Sequence, residues 1–488
     1  MKSISYLLLM FPLLLAVEHS VHAEDARRPN ILLIFADDLG WNDLGYSGSD
    51  FVETPNLDRL ASEGMNFTHA YAAAGNCAPS RACLLSGQYT PRHGVYAVAS
   101  TDRGPKNAMR MDPIPNRTFL EAENVTVAEA LKAAGYATGC FGKWHLGSNQ
   151  QGTGPENQGF DRVLDKNYGG SGEQADPKGI FTLTRAACAF MEENRDRPFF
   201  AYVSHHAIHT GLQARPETLA YYKKKAEGRE GVSPLYAACT ADLDAGVGLL
   251  LEKLAELGLA KNTLVVFTSD NGSTPQSSSE PLRGDKGGYY EGGIREPFLA
   301  RWPGKIEAGS KCATPVINID LYPTLLAAAG TAPPKDKRLD GENLLPLFEQ
   351  QGNLQREAIF WHFPGYLDRP VTRGRDPVFR TRPVSVIRKG DWKLHLYHEE
   401  WLLDGGRERM AENHAVELYN IAEDEGERND LALTNTEKRD ELLGELLVWI
   451  EKTPAPLPSE VNPKYKPGEG TSGAGGLRSR NRPPREAP

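Results

Sequence analysis

Four short apolar runs, Ile31 to Ala36, Tyr136 to Phe141, Phe199 to Val203 and Leu264 to Thr268, each stop abruptly against a polar cluster, and helical patterns separate them. Short, continuously apolar runs of this kind read as strands covered on both faces. Asn56-Leu57-Asp58-Arg59-Leu60-Ala61 begins one helix. Thr126 to Ala134 reads as another, with Thr126 capping and Glu129 three residues on completing a capping box. Leu243, Val247, Leu250, Leu251 and Leu254 recur at helical spacing between the last two strands. Helices that join strands return the chain to the same end of a sheet, so the strands run largely parallel. The expected fold is α/β, a large, mixed or mostly parallel sheet with helices on both faces.

The pattern changes after about residue 355. Pro- and Arg-rich sequence leads to Val384 to Arg388, Trp392 to Tyr397 and Glu417 to Asn420, short strands of a smaller antiparallel sheet closed by a helix from about Glu437 to Lys452. The last stretch is Gly, Ser, Pro and Arg with almost nothing apolar and reads as disordered. At the other end Lys2, an apolar stretch from Tyr6 to Val17 and Val21-His22-Ala23 form an export signal cleaved after Ala23, too short in its apolar part to span a bilayer. The expected organisation is a signal peptide at 1–23, a catalytic domain at 24–355, a small α+β domain at 356–460 and a disordered tail at 461–488. The mature chain is expected outside the cytoplasm, secreted or periplasmic, with no stable membrane span. A net charge of -9 excludes a nucleic-acid surface, which needs a basic excess. The six cysteines show no CxxC pair or zinc-ligand spacing. Cys140 and Cys188 lie in apolar runs and read as buried, unpaired core residues, while a disulfide among Cys83, Cys239 and Cys312 stays open.

In open α/β sheets ligands sit beyond the carboxyl ends of the strands, so the residues that follow each strand are read as one site. Here they are Asp37-Asp38, then Gly142-Lys143-Trp144-His145, then His205-His206-Ala207-Ile208-His209, then Asp270-Asn271-Gly272. Singly, Asp37-Asp38 is a helix-capping turn and Asp270-Asn271-Gly272 a plain turn. Together they gather three carboxylates, an amide, a lysine and histidines at one sheet edge. Three Asp and one Asn are hard oxygen ligands, which suit calcium or magnesium rather than zinc, and the number of protein oxygens favours one calcium ion. A cation there lowers the cost of negative charge developing in displacement at sulfur or phosphorus. In Cys77-Ala78-Pro79-Ser80-Arg81, Pro79 and Ser80 suit the first turn of a helix, which sets Cys77 at an anion-favouring N-terminus. From the residues alone Cys77 is either an activated thiolate or merely a helix start.

The Cys77-Ala78-Pro79-Ser80-Arg81 run matches the Cys-x-Pro-Ser-Arg signature of the type I, formylglycine-dependent sulfatases of the alkaline phosphatase superfamily, which the chain resembles from about Arg28 to Asn420. The likeness continues through Gly142-Lys143-Trp144-His145-Leu146-Gly147, the Asp270-Asn271-Gly272 turn and the stretch from Gly284 to Pro297. The resemblance implies an alkaline-phosphatase-like fold and hydrolysis of sulfate esters, of a sulfated small molecule or an oligo- or polysaccharide. It implies that a maturing, formylglycine-generating enzyme oxidises Cys77 to the aldehyde. Asp37, Asp38, Asp270, Asn271 and the modified Cys77 would bind the metal. Arg81 and Lys143 would hold the aldehyde hydrate, Lys286 sulfate oxygens, His145 would take a proton from the hydrate, and His209 would protonate the leaving alcohol. His209 is preferred to His205 and His206 because Ala207 to Gln213 aligns with the family's histidine before a Leu-Gln pair, although Gly211 stands where Pro is frequent.

Two other functions fit part of this pattern: a formylglycine-dependent phosphodiesterase or phosphonate monoester hydrolase, and a non-catalytic carbohydrate-binding relative. The Lys143-Trp144-His145 and Lys286 set favours sulfate. The arginine-rich stretch from Arg369 to Arg382, with Trp361-His362 before it, is expected at the rim of the pocket, with Arg380 and Arg382 facing the substrate.

Overall fold

The computed structural model describes residues 27–165, 169–277, 279–371 and 373–467. The expected signal peptide and most of the expected tail lie outside the described residues. Strands β1 (Asn30–Ala36), β2 (Met65–Phe67), β3 (Ala137–Gly142), β4 (Arg162–Leu164), β5 (Phe199–Ser204), β6 (Thr263–Ser269), β7 (Phe298–Arg301) and β8 (Ser310–Cys312) form one sheet in the order β8-β2-β7-β6-β1-β5-β3-β4. β1 pairs in parallel with β5 and β6, and β3 with β5 and β4. β7 is antiparallel to β6 and β2, which makes the sheet mixed.

Every residue of β1 is buried, and alternate side chains feed two separate cores. Ile31, Leu33 and Phe35 pack with Phe200, Tyr202, Leu264 and Val266 on one face; Leu32, Ile34 and Ala36 pack with Ala201, Val203, Val265 and Phe267 on the other. Each of the Val, Leu, Ile and Phe side chains among them contributes roughly 1.5–3 kcal/mol by leaving water. The first face is covered by helices α2 (Cys77–Ser86) and α3 (Val127–Ala133), the second by α1 (Pro55–Glu63), α4 (Ile180–Glu193) and α5 (Pro234–Glu256). The capping box forms as expected: Glu129 N–H donates to Thr126 Oγ1 at 3.2 Å, and Thr126 N–H to Glu129 Oε2 at 2.7 Å. α5 carries the Leu243 to Leu254 stripe into the second core.

A smaller antiparallel sheet follows, β9 (Ala358–Phe363), β10 (Val384–Lys389), β11 (Trp392–Tyr397) and β12 (Val416–Asn420), backed by helix α6 (Thr436–Lys452). Its edge strand β9 corrects one expectation. Trp361 and His362 are buried rather than on a rim: Trp361 Nε1–H donates to the Ala72 carbonyl at 2.8 Å, and His362 lies between Ser385 and the Pro456 carbonyl. Val461 to Lys466, expected in the disordered tail, instead run along residues 106–111, where Asn462 Nδ2 donates to the carbonyls of Lys106 and Met109 at 2.8 Å. No disulfide joins the six cysteines; Cys140 is buried as expected, Cys188 only half-buried.

Candidate active site

The parallel strands β1, β3, β5 and β6 end at one edge, and Asp37, Lys143, His205 and Asp270 are the residues that follow them. A cleft of about 1220 Å³ opens there, and Asp37, Asp38, Cys77, Lys143, His145, His209 and Lys286 all line it. Two of these have backbones that only a well-determined surrounding holds in place: Asp38 (φ 70°) and His145 (φ 65°) sit in the left-handed region that non-glycine residues seldom adopt.

Cys77 is the first residue of α2, a helix buried along its whole length. Pro79 fits the first turn because its missing N–H is one of the four that have no partner inside a helix. Burial pushes the Cys77 thiol above its ordinary range, against the pull of Lys143 and Lys286, so the encoded cysteine is no ready thiolate at neutral pH. Arg81, one turn on, is fully buried and does not line the cleft. Its guanidinium grips Asp270 Oδ2 at 2.7 and 3.0 Å and donates to the Lys143 carbonyl at 3.0 Å and to Ser204 Oγ.

The carboxylates are crowded and cationic groups hold them apart. Lys143 Nζ lies 2.6 Å from Asp37 Oδ2, and Lys286 Nζ 2.5 Å from Asp38 Oδ1. Asn271 Nδ2 donates to Asp38 Oδ1 at 2.9 Å, and Asp38 N–H to Asp270 Oδ1 at 3.1 Å. Burial opposes ionisation of Asp37, yet Lys143, Arg81 and Lys286 outweigh it and hold this carboxyl well below its usual range. Burial and then the Asp37 charge push Asp270 up. Donor atoms of Asp37, Cys77 and Asp270 lie within 4.8 Å of one another, as do those of Asp37, Asp38 and His209. Asp37 Oδ1 and Asn271 Oδ1 are buried without a hydrogen-bond partner. Buried, unpartnered hard oxygens beside two mutually repelling carboxylates fit a hard divalent cation, which would satisfy the oxygens and relieve the repulsion.

The histidines divide by environment. His205 is wholly buried away from the cleft, His206 lines it while bound to Asp165 at 3.1 Å, and His209 lines it 3.9 Å from Asp38 Oδ2. His209 Nδ1–H donates to the Thr210 carbonyl at 2.9 Å, which leaves Nε2 toward the carboxylates. Burial, aided by Lys143 and Arg81, lowers His145 to about 3, so it is neutral at pH 7. The cleft also takes in Asn76, Arg103, Asp165, Lys178, Gln276, Arg369 and Arg380, most of them outside the sequence-based set. Asn318 was missed as well: it bonds Ser80 Oγ at 2.8 Å and the Ala73 N–H at 3.2 Å, bracing the turn before Cys77. Neither role has a local sequence signal. Of the two rim arginines expected, Arg380 lines the cleft and Arg382 does not, being held by Asp376 and Glu399.

A buried helix start opposite an acidic cluster, with two lysines and three histidines in one cleft, defines a hydrolase for esters of a tetrahedral oxyanion. Residues 29–331 match the Sulfatase family, and residues 284–447 the C-terminal domain of N-sulphoglucosamine sulphohydrolase. The chain is 32% identical to a sulfatase of Formosa agariphila over 93% of this chain and 94% of that one. It is 35% identical to arylsulfatase A of Homo sapiens, covering 83% and 84%. The crystal structure of Ps i-CgsB superposes with a TM-score of 0.71 at 29% identity, covering 89% of this chain and 95% of that one. The chain belongs to the sulfatase family and is a sulfuric ester hydrolase.

Proposed function

We propose that the protein is an exported, formylglycine-dependent sulfatase that hydrolyses a sulfate ester of a carbohydrate at a single calcium ion. The observation that carries this is the placing of Cys77 at the start of α2, with its sulfur within 4.8 Å of Asp37 and Asp270 oxygens and its thiol not activated by its surroundings. Oxidised to the aldehyde, Cys77 would supply what the thiol lacks: its hydrate would offer one oxygen to attack sulfur and a second hydroxyl whose deprotonation would release sulfate. Asp37, Asp38, Asp270, Asn271 and the modified Cys77 would hold the calcium, which would supply positive charge to the sulfate oxygens.

The chain's own residues do the rest. Lys286 and Lys143 present ammonium groups to the sulfate oxygens and the hydrate. Arg81 fixes Asp270 and the Lys143 carbonyl from behind, and in this reading acts on the hydrate through that frame. His145, neutral at working pH, takes a proton from the hydrate. His209, with Nδ1–H committed to the Thr210 carbonyl, turns Nε2 toward the carboxylates of the cleft and delivers the proton to the leaving alcohol from that nitrogen. A carbohydrate substrate is supported by the relatives named N-acetylgalactosamine-6-sulfatase, 32% identical in Rattus norvegicus, and by Ps i-CgsB, solved in complex with k-i-k-neocarrahexaose. Among the described residues no helix is long and apolar enough to cross a membrane.

Peptide mass spectrometry across Cys77, on protein co-expressed with a maturing enzyme, is expected to show a loss of about 18 Da. Matured protein is expected to turn over 4-nitrophenyl sulfate well above bis(4-nitrophenyl) phosphate, and Cys77→Ser to stall with sulfate retained on the serine oxygen. Steady multiple turnover by Cys77→Ser, or by unmodified protein, refutes the formylglycine role.

A further inference from the structure

Beyond the sulfate-binding end, the cleft wall carries three arginines, Arg103, Arg369 and Arg380. Neighbouring arginines in the same loop are matched with acids: Arg373 reaches Glu280, Arg375 reaches Glu400 and Glu417, and Arg382 reaches Asp376 and Glu399. Arg380 differs. Its Nε and Nη1 donate to the backbone carbonyls of Arg369 and Lys286 at 3.2 and 2.7 Å, and among the described residues it forms no ion pair with a carboxylate. Asp368 serves two guanidiniums, at 2.6 Å from Arg103 and 3.8 Å from Arg369. Asp285 acts on Arg380 only at longer range, accepts a hydrogen bond from Ser279 and stays outside the cleft lining. Three guanidiniums therefore face the cleft with one carboxylate in ion-pair reach. Burial, with the Arg103 and Arg369 charges nearby, lowers the Arg380 pKa, the mark of a cation short of counter-charge.

We propose that Arg380, with Arg103 and Arg369, forms a second anion subsite, and that the hydrolysed sulfate ester belongs to a saccharide carrying another anionic group, sulfate or carboxylate. The proposal rests on the sulfatase reading of the Cys77 end. Guanidinium forks bind either oxyanion through paired charge-assisted hydrogen bonds, and a partly buried fork whose bonds end on carbonyls keeps donors free for one. The Arg380 bond to the Lys286 carbonyl sets the spacing. The second anion lies about a lysine side chain away from the sulfate held by Lys286 Nζ, a separation that substituents on one sugar or on adjoining sugars span.

Calorimetric titration of the full-length Cys77→Ala protein, which cannot turn over, tests this with three disaccharides: singly sulfated, doubly sulfated, and sulfated with a carboxylate. At least one doubly anionic probe is expected to bind about tenfold or more tighter than the singly sulfated one, the yield of one or two charge-assisted bonds. Adding Arg380→Met is expected to reduce that preference below about threefold. Arg103→Ala with Arg369→Ala, changes nearer the surface that test the subsite even where Arg380→Met fails to fold, is expected to reduce it in part. Whichever of sulfate and carboxylate loses more identifies the native group. Equal affinities for all three probes, or a preference that survives both sets of changes, overturn the subsite. Turnover of 4-nitrophenyl sulfate by matured wild type separates the two readings: its absence removes the sulfatase reading and the proposal with it, whereas turnover without the binding preference removes the subsite alone.

Discussion

Gly142 ends β3 and hands the chain to Lys143, at φ +114°. A Cβ built there would lie 1.9 Å from the Ser204 carbonyl oxygen, the same oxygen that accepts the Lys143 N–H at 2.7 Å. Carbon and oxygen tolerate about 3.3 Å, so Gly142→Ala must part β3 from β5 by roughly 1.4 Å at the site's edge. The backbone conformation costs an alanine about 1–2 kcal/mol, and loss of the Lys143 hydrogen bond adds about 1 kcal/mol. The total is about 2–3 kcal/mol. Gly48 is the control: its φ is +109°, and a Cβ there meets nothing within 4 Å. Gly48→Ala is therefore expected to cost only the backbone part, about 1–2 kcal/mol. Urea unfolding followed by tryptophan fluorescence measures both, and aryl sulfate turnover by the matured variants is expected to fall about a hundredfold for Gly142→Ala, because Lys143 is displaced by about an ångström, and to be kept by Gly48→Ala. A Gly142→Ala protein as stable as Gly48→Ala, with full activity, refutes the argument that this contact sets Lys143.

Arg81→Met leaves Asp270 buried beside Asp37 without its cation, and a loss of about 3–5 kcal/mol in urea unfolding is expected, the usual cost of breaking a buried pair from one side; a loss under about 1 kcal/mol counts against the frame assigned to it. Treatment with EGTA is expected to lower the thermal midpoint and calcium to restore it more effectively than equal magnesium, since a ligand at a hundred times its dissociation constant adds about 2.7 kcal/mol; a midpoint indifferent to both ions refutes the calcium assignment. His93 and His362, lowered by burial to about 3 and about 4, stay neutral in the fold, whereas the unfolded chain takes up their protons near pH 6.5. Stability is thus fully present above about pH 6.5 and falls as pH drops from there toward about 4, with each histidine adding up to about 1.4 kcal/mol per pH unit. Urea midpoints at pH 7, 6 and 5 check the slope, and a flat series refutes it.

What the sequence made legible follows from which forces are local. The central strands could be read because strands buried on both faces must be apolar throughout, and each break in that pattern marks a sheet edge where ligands bind. Asp37, Lys143 and Asp270 were found through their position after a strand. β2, β7 and β8 span only 3, 4 and 3 residues, too short for a periodic signal, so the mixed character of the sheet rests on pairings the sequence does not spell out. Trp361 and His362 were misplaced because their partners, Ala72 and Pro456, are 289 and 94 residues away. The same blindness separates Arg380 from Arg382. Two arginines two positions apart look alike until Glu399 and Asp376 are seen to claim one and leave the other to the cleft.

The loop that carries Lys286 shows why the smaller domain matters to the chemistry. Lys286 N–H donates to the Ser273 carbonyl at 2.7 Å and Gly287 N–H to the Gly75 carbonyl at 2.6 Å, which ties the loop to the metal-side turn and to the approach to Cys77. A Cβ on Gly272 would come within 2.1 Å of the Gly292 carbonyl oxygen, so backbone meets backbone there and glycine is required on steric grounds. At its far end Glu291 lies 3.0 Å from Lys393 Nζ on β11, accepts from Tyr71 OH at 2.8 Å, and gives its own N–H to Glu427 at 2.6 Å. Glu427 reaches the same lysine at 3.0 Å, and the side chains of Glu291, Lys393 and Glu427 are fully buried. Removing Lys393 would strand two carboxylates between the domains, a cost that ties the small sheet to the loop rather than leaving it an appendage. The Lys286 ammonium therefore stands at Asp38 because backbone contacts on one side and a buried ion triad on the other hold its loop. None of these contacts involves substrate, so the fold itself sets the place of Lys286, and in the mechanism proposed above its fixed charge would stabilise a transition state without first being rearranged.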